Sequence, residues 1–293
     1  MKYIKNNLLK NIPERKIRIL VIMSYYICKL PIGILFTIGK IIGLLAYIFL
    51  KEKRKLIKEN IEKCFTHKSN NFHKKLTKKH FQNLGIAVFE TLIAYTNKNK
   101  KLSVEVSGKE HIFNSLKKGN GIVLLYGHFT IIDIGIKLIT DALKGLNVSV
   151  VYTPALNKNL DTLQANSRKQ YLEIISKKEP KKMYQNLKDN KIMIFLPDLY
   201  LGEHKRNLEV PFLTYKKNIM TSCSNFAKIC KSDIIPLQII REKNFKYKLI
   251  FEKPLKDVVG EEIKKETITI TQTLERHIKS WPEAYFWIVN QFR

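Results

Sequence analysis

Two residues of this chain have types and spacing that could do proton-transfer chemistry: His128 and Asp133, within "GIVLLYGHFTIIDIGIKL" from Gly121 to Leu138. The apolar run GIVLLY reads as a strand of a sheet buried on both faces, and IIDIGIKLI reads as the helix that follows. His128 therefore falls at the carboxyl end of a strand, the edge where open α/β sheets bind ligands. Four residues separate His128 from Asp133, so a turn and the first helical residues could bring the carboxylate back against the imidazole. Asp133 would then fix the tautomer while the other ring nitrogen takes a proton from an alcohol. A second reading of the same spacing is structural. Thr130-Ile131-Ile132-Asp133 matches a capping box, with Thr130 as N-cap and Asp133 three residues on.

No GxSxG nucleophile elbow occurs in the chain, so an acyl transfer here would proceed by direct attack of the acceptor hydroxyl rather than through a serine acyl-enzyme. The elements that must position these residues are legible as alternating runs. LSVEVS, GIVLLY, NVSVVY, IMIFLP, DIIPLQII and YKLIFE read as strands. Helical stretches are expected around Lys109–Lys118, Ile132–Leu143, Leu160–Ser176, Tyr184–Asn190, Asn218–Cys230 and Glu262–Lys279. This alternation predicts an α/β fold with a mixed, largely parallel sheet flanked by helices. Residues 51–101 read as a charged helical lead-in, with Leu56, Ile57, Ile61 and Phe65 at helical spacing. The α/β core would then occupy residues 102–293, and residues 51–293 together would form the catalytic domain.

Residues 1–50 carry two apolar runs, Ile19 to Cys28 and Leu30 to Leu50, meeting at Lys29-Leu30-Pro31. The second has about the 20 residues of a membrane span, but Lys40 lies near its middle. A cleaved signal peptide is not expected, because the apolar part begins late and no small-residue cleavage site precedes KEKRK. Basic flanks on both sides choose no orientation for a single span and suit an N-terminal hydrophobic membrane anchor that is re-entrant or interfacial. An internal pair of core helices is the alternative.

A net charge of +28 points to an acidic partner: nucleic acid, an anionic membrane surface, or an acidic carrier or substrate. Part of that excess follows from a composition rich in lysine. Nucleic acid is disfavoured, since no helix-turn-helix or zinc pattern stands out and the basic runs are not interleaved with aromatics. The four cysteines form neither a CxxC pair nor a Cys/His cluster, which argues against a disulfide framework or a zinc site.

GHFTIID resembles the HX4(D/E) motif of the lysophospholipid acyltransferase superfamily, and its surroundings resemble the lipid A biosynthesis lauroyl/myristoyl acyltransferases. RKLIKENIEKCF and FQNLGIAVFE are similar to that family's Arg…Asn…CysPhe and Asn-x-Gly…Glu helices, the latter on Asn83, Gly85 and Glu90. VYTPALNKNLDTLQANSRKQY resembles the Tyr-x-Pro…Asn…Arg segment and places its Arg on Arg168. IFLPDLYLGEHKRNLEVPFLTYKKNIMTSCSNFAKICKSDIIPL resembles the Pro-Asp…Gly…Val-Pro-Phe block and places its Asp on Asp198. The chain departs from the pattern at Leu199, at Leu213-Thr214, and at Val289-Asn290-Gln291, where the family's terminus is basic.

The resemblance implies transfer of a fatty acyl chain from an acyl carrier protein thioester to a hydroxyl of a lipid A precursor, at the cytoplasmic face of the inner membrane. Acylation of a lysophospholipid or another glycolipid, from acyl-CoA or a carrier protein, is the alternative. His128 and Asp133 would be catalytic. Arg168 would meet a phosphate or the thioester oxyanion, and Asp198 would anchor Arg168 or place the acceptor sugar. Asp198 also reads as a turn residue. Tyr152, Asn157 and the Lys205-Arg206 pair are further substrate-binding candidates. The other histidines, His67, His73, His80, His111, His204 and His277, are expected to be solvated. Neither a metal nor another cofactor is expected.

Overall fold

A computed structural model describes residues 4, 8–155, 157–199, 207–255, 262–290 and 292. Four helices come first: α1 (Arg15–Ile27), α2 (Ile32–Phe49), α3 (Lys51–Cys64) and α4 (Asn70–Thr96). An alternating series follows: β1 (Ser103–Ser107), α5 (Lys109–Leu116), β2 (Ile122–Leu125), α6 (Ile132–Ala142), β3 (Val148–Tyr152), α7 (Lys158–Arg168), β4 (Glu173–Ser176), α8 (Pro180–Lys188) and β5 (Ile192–Phe195). A hairpin of β6 (Asn207–Phe212) and β7 (Tyr215–Met220) leads to α9 (Ser222–Cys230), β8 (Asp233–Arg241), β9 (Lys246–Phe251) and α10 (Ile263–Ser280).

The main sheet has seven strands in the order β1-β9-β8-β2-β5-β3-β4. Strands β8, β2, β5, β3 and β4 run parallel, while β9 is antiparallel to β8 and carries β1 parallel to itself. The expected mixed, largely parallel α/β sheet flanked by helices is the observed architecture. Its central strands are buried at every position, because alternate residues feed opposite layers. Ile122, Leu124, Ile192 and Ile194 join the larger core. Val123, Leu125, Met193 and Phe195 join a second core with Met183 of α8, Phe226 of α9 and Leu274 of α10.

Two elements differ from expectation. Residues 173–176 are a strand rather than the end of a helix, and residues 218–220 close β7 rather than start one. The run Glu-Ile-Ile-Ser is too short to show a period. The β6–β7 turn places Leu213 at φ 56°, a left-handed position usually signalled by Gly or Asn. The histidines also differ. His73, His80 and His277 are buried rather than solvated. His73 Nε2 lies 2.9 Å from the Phe65 carbonyl, His80 Nδ1 lies 2.9 Å from that of Glu283, and His277 Nε2 lies 2.8 Å from Glu252. Burial drops the His80 pKa to about 4, so its imidazole is neutral near pH 7. His204 and the Lys205-Arg206 pair lie outside the described residues.

The apolar helix α2 is packed along α4 by the exchange of small residues. A Cβ on Gly39 would come 2.8 Å from the Gly85 carbonyl oxygen, and one on Gly43 or Gly85 would press still harder on the facing backbone. Backbones cannot yield as side chains do, so only glycine fits there. Lys100 ties the α1–α2 junction to the body by donating to the carbonyls of Cys28 at 2.7 Å and Leu30 at 2.6 Å. We predict that Gly85→Ala lowers stability by about 2 kcal/mol or more through overpacking, read as a lower Tm in detergent. An unchanged Tm would contradict this close crossing.

Candidate active site

Strands β2 and β5 are parallel neighbours with Leu125 opposite Phe195. Three residues beyond each lie His128 and Asp198, so the sheet register itself brings these two side chains to one carboxyl edge. The Tyr126 N–H donates to the Phe195 carbonyl at 3.0 Å, carrying the pairing one residue further. The imidazole Nδ1 then lies 2.7 Å from Asp198 Oδ1, and the His128 backbone N–H lies 3.1 and 3.0 Å from the two carboxylate oxygens. Asp198 is fully buried, whereas the His128 ring is 19% exposed.

Burial would push the Asp198 carboxyl up, but the His128 imidazole beside it, the Lys217 ammonium and the His128 N–H together hold it down at about 2. It is therefore ionised at neutral pH and can only accept hydrogen bonds. In the neutral imidazole the proton therefore sits on Nδ1 and the lone pair on Nε2.

Gly127 leaves room beside this pair, since a Cβ there would lie 2.9 Å from the Phe129 ring and one of the two would have to shift. The C-terminal segment braces the same loop. The Phe286 N–H donates to the His128 carbonyl at 3.0 Å, and the Thr130 N–H donates to that of Ala284 at 2.8 Å. Lys217 of β7 is buried and donates to the Tyr285 hydroxyl at 2.8 Å. Its ammonium lies 4.6 Å from the Phe212 ring centre and 4.9 Å from that of Phe292. Burial lowers its pKa to about 8 against the opposing pull of Asp198 and Cys64. Lys217 and Tyr285 were not legible as site residues, because nothing in their local runs points to the strand edge.

The structure places Asp133 against Arg168 and Tyr95 and not against the His128 ring. It lies in the first turn of α6, where a carboxylate suits the helix dipole. Its Oδ1 accepts from Arg168 Nε at 2.8 Å and its Oδ2 from the Tyr95 hydroxyl at 3.2 Å. The ring of His128 is held instead by Asp198, because β5 lies beside β2 while the α6 face bearing Asp133 looks toward α4 and α7. The capping box is likewise absent. The N-cap position is Ile131, and the Thr130 hydroxyl accepts from Asn83 Nδ2 at 2.7 Å.

Arg168 ends α7, and Gln170 and Tyr171 just beyond it dock that end on the Ala94 carbonyl at 3.0 and 2.6 Å. Its ion pair uses Nε, and neither Nη1 nor Nη2 makes a hydrogen bond to a described residue. The guanidinium stands 5.6 Å from the centre of the Tyr152 ring. The Tyr152 hydroxyl donates to the Asp161 carboxylate, which with burial pushes the phenol well up. Asn157 is exposed and caps α7, accepting from the N–H groups of Asn159 and Leu160 at 3.0 and 3.1 Å. The sequence candidates thus resolve into a carboxylate–imidazole hydrogen bond, an ion pair with a ring beneath its guanidinium, and a helix cap. Among the described residues no group of three or more His, Cys, Asp or Glu is arranged to hold a metal ion.

Residues 8–293 match the model of the family described as bacterial lipid A biosynthesis acyltransferase. The chain is 24% identical to the lipid A biosynthesis lauroyltransferase of Escherichia coli K12, over 92% of this chain and 88% of that protein. It is 22% identical to the lipid A biosynthesis palmitoleoyltransferase of the same strain, over 90% of this chain and 87% of the relative. With a lipid A biosynthesis acyltransferase of Haemophilus influenzae it shares 26% identity, over 90% and 86% of the two chains. By class, then, the protein is an acyltransferase built on an α/β sheet. More particularly, it belongs to the bacterial lipid A biosynthesis acyltransferase family.

Replacing Asp198 with Asn removes the ionised acceptor that selects the Nδ1–H tautomer. We predict a fall in kcat of about 100- to 10,000-fold, with folding retained by circular dichroism. A loss under tenfold would mean that Asp198 does not set the tautomer. Because the folded-state pKa of Asp198 lies below its ordinary 3.8, its contribution to stability is complete above about pH 4 and is lost as pH falls toward about 2. Acid unfolding of the wild type should therefore steepen in that window, and the Asn variant should lack that component.

Proposed function

We propose that this protein moves a fatty acyl chain from an acyl carrier protein thioester to a hydroxyl of a lipid A precursor, with His128 as general base. The observation that carries this reading is the ionised, buried Asp198 on His128 Nδ1, which leaves Nε2 basic. In the reaction Nε2 takes the proton of the acceptor hydroxyl as its oxygen attacks the thioester carbonyl. The tetrahedral intermediate collapses with cleavage of the C–S bond, and the carrier thiolate recovers a proton from Nε2–H. No covalent acyl-enzyme forms. Asp198 orients the base, and Asp133 acts by holding Arg168, whose Nη groups would meet the oxyanion or a substrate phosphate. Tyr152 supports the guanidinium from beneath, and Asn157 fixes the start of the helix that ends in Arg168.

The acyl carrier protein is supported as donor by charge. One surface hollow of about 520 Å³ is lined by Lys98, Lys100, Lys101, Lys109 and Lys137, with Asp141 as its one carboxylate. An acidic carrier would be steered to such a surface. Membrane association is supported by the N-terminal helices. Among the described residues one helix, Ile32–Phe49, is long and apolar enough to cross a membrane, and 22% of it is buried. Ile19, Leu20 and Met23 of α1 and Ile34, Ile41, Ile42 and Leu45 of α2 are exposed. We read residues 1–50 as the anchor that lays the catalytic residues 51–293 against the cytoplasmic face of the inner membrane.

The test is acyl transfer by protein in detergent, offering carrier-protein and CoA thioesters against a tetra-acylated lipid A precursor and a lysophospholipid. We expect carrier-dependent transfer to the lipid A precursor, falling about 100-fold or more in His128→Ala. Transfer to the lysophospholipid alone would reassign the acceptor, and activity that survives the substitution would remove His128 from the mechanism.

A further inference from the structure

Lys40 is an anomaly in an otherwise apolar helix, and the structure gives it a place. It lines a cavity of about 300 Å³ where α2, α4, the end of β8 and Trp281 meet. Arg241 and Asn83 line the same cavity, and their side chains are largely buried. The Arg241 guanidinium is fixed from several sides. It donates to Glu90 Oε2 at 3.2 Å and to Asn83 Oδ1, and it stands 5.3 Å from the centre of the Phe36 ring and 5.6 Å from that of Trp281. Lys40, Lys79 and Lys243 line the cavity as exposed side chains and make no ion pair with a described residue. Two carboxylates, Glu242 and Glu283, are also present, leaving the lining with a net charge of +2.

The cavity is coupled to the catalytic edge. Asn83 Nδ2 donates to the Thr130 hydroxyl at 2.7 Å, two residues beyond His128, and to the Glu283 carbonyl at 3.2 Å. It also adjoins the exposed apolar face of α2, so a ligand seated there could keep acyl chains in the bilayer. We infer that this cavity is an anion site for a phosphate of the glycolipid acceptor, held by Lys40, Lys79, Lys243 and the fixed guanidinium of Arg241. Such a site would hold the acceptor while its hydroxyl reaches His128. This inference rests on the proposed glycolipid acceptor and adds where that acceptor's phosphate binds. Three flexible ammonium groups around one fixed guanidinium suit a phosphate that arrives on a mobile headgroup.

Equilibrium binding of the full-length protein to micelles of a tetra-acylated glucosamine disaccharide, with its phosphates intact or removed by phosphatase, tests the site without requiring turnover. The wild type should prefer the phosphorylated form by about tenfold or more, the scale of one or two charge-assisted contacts. The pair Lys79→Gln with Lys243→Gln should abolish that preference. The charge-matched pair Lys117→Gln with Lys144→Gln, on exposed surface away from the cavity, should keep it. Equal loss in both pairs, or no preference in the wild type, would overturn the inference. So would phosphatidic acid or inorganic phosphate competing as well as the disaccharide, since the site would then serve a bulk lipid headgroup or a free anion. If phosphate-dependent binding stands but no acyl transfer follows, the proposed function fails and the site survives. If transfer stands while the Lys79 and Lys243 pair leaves the KM for the phosphorylated acceptor unaltered, the site fails and the function survives.

Discussion

A buried carboxylate is tolerated only where hydrogen bonds and opposite charge replace lost water, and Asp198 meets that requirement through His128. Its oxygens receive the imidazole Nδ1–H and the backbone N–H of the same residue, with the buried Lys217 ammonium contributing charge. Much of the surrounding architecture serves that contact. The β2–β5 register delivers the two residues to one edge, Gly127 leaves room for the Phe129 ring, and residues 284–286 clasp the His128 loop from the other side. A strand slipped by two residues would leave a carboxylate stranded in a dry core.

Asp133 makes an ion pair with Arg168, and the two carboxylates differ in what their partners leave available. Asp198 leaves a lone pair on Nε2. Asp133 leaves the Nη groups of a cation whose Nε is already committed. A base and an electrophilic donor are the two functions that acyl transfer to a hydroxyl requires. Keeping each on its own carboxylate prevents the guanidinium from competing with the imidazole for one acceptor.

The N-terminal helices are structurally continuous with this centre. The glycine crossing of α2 on α4 brings Lys40 to the same cavity as Asn83 and Arg241. Helix α4 also supplies Glu90, whose oxygens take Arg241 and, at 2.6 Å, the Tyr247 hydroxyl. Burial raises the Glu90 pKa while Arg241 and Tyr247 oppose the rise, so the network keeps its charge only if packed intact. An apolar segment that looks separable is in this way packed into the same body as the strand edge that carries His128.

Much was legible before any coordinates. Six strands of the main sheet, the placement of His128 at a strand's carboxyl end, and the family resemblance on His128, Asp133, Arg168 and Asp198 all follow from local periodicity and motif. Those properties are written within short windows of chain. The hairpin β6–β7, the short strand β4 and the burial of His73, His80 and His277 were not, because neither a left-handed Leu213 nor a charged neighbourhood reveals them. The partnering of the two carboxylates was also beyond local reading. Asp133 is five positions from His128 and Asp198 is seventy, yet strand order places the distant one against the imidazole. Chain separation governs which residues can share a helix turn. Only the packed sheet decides which strand ends lie side by side, since register is set by the burial of every strand at once.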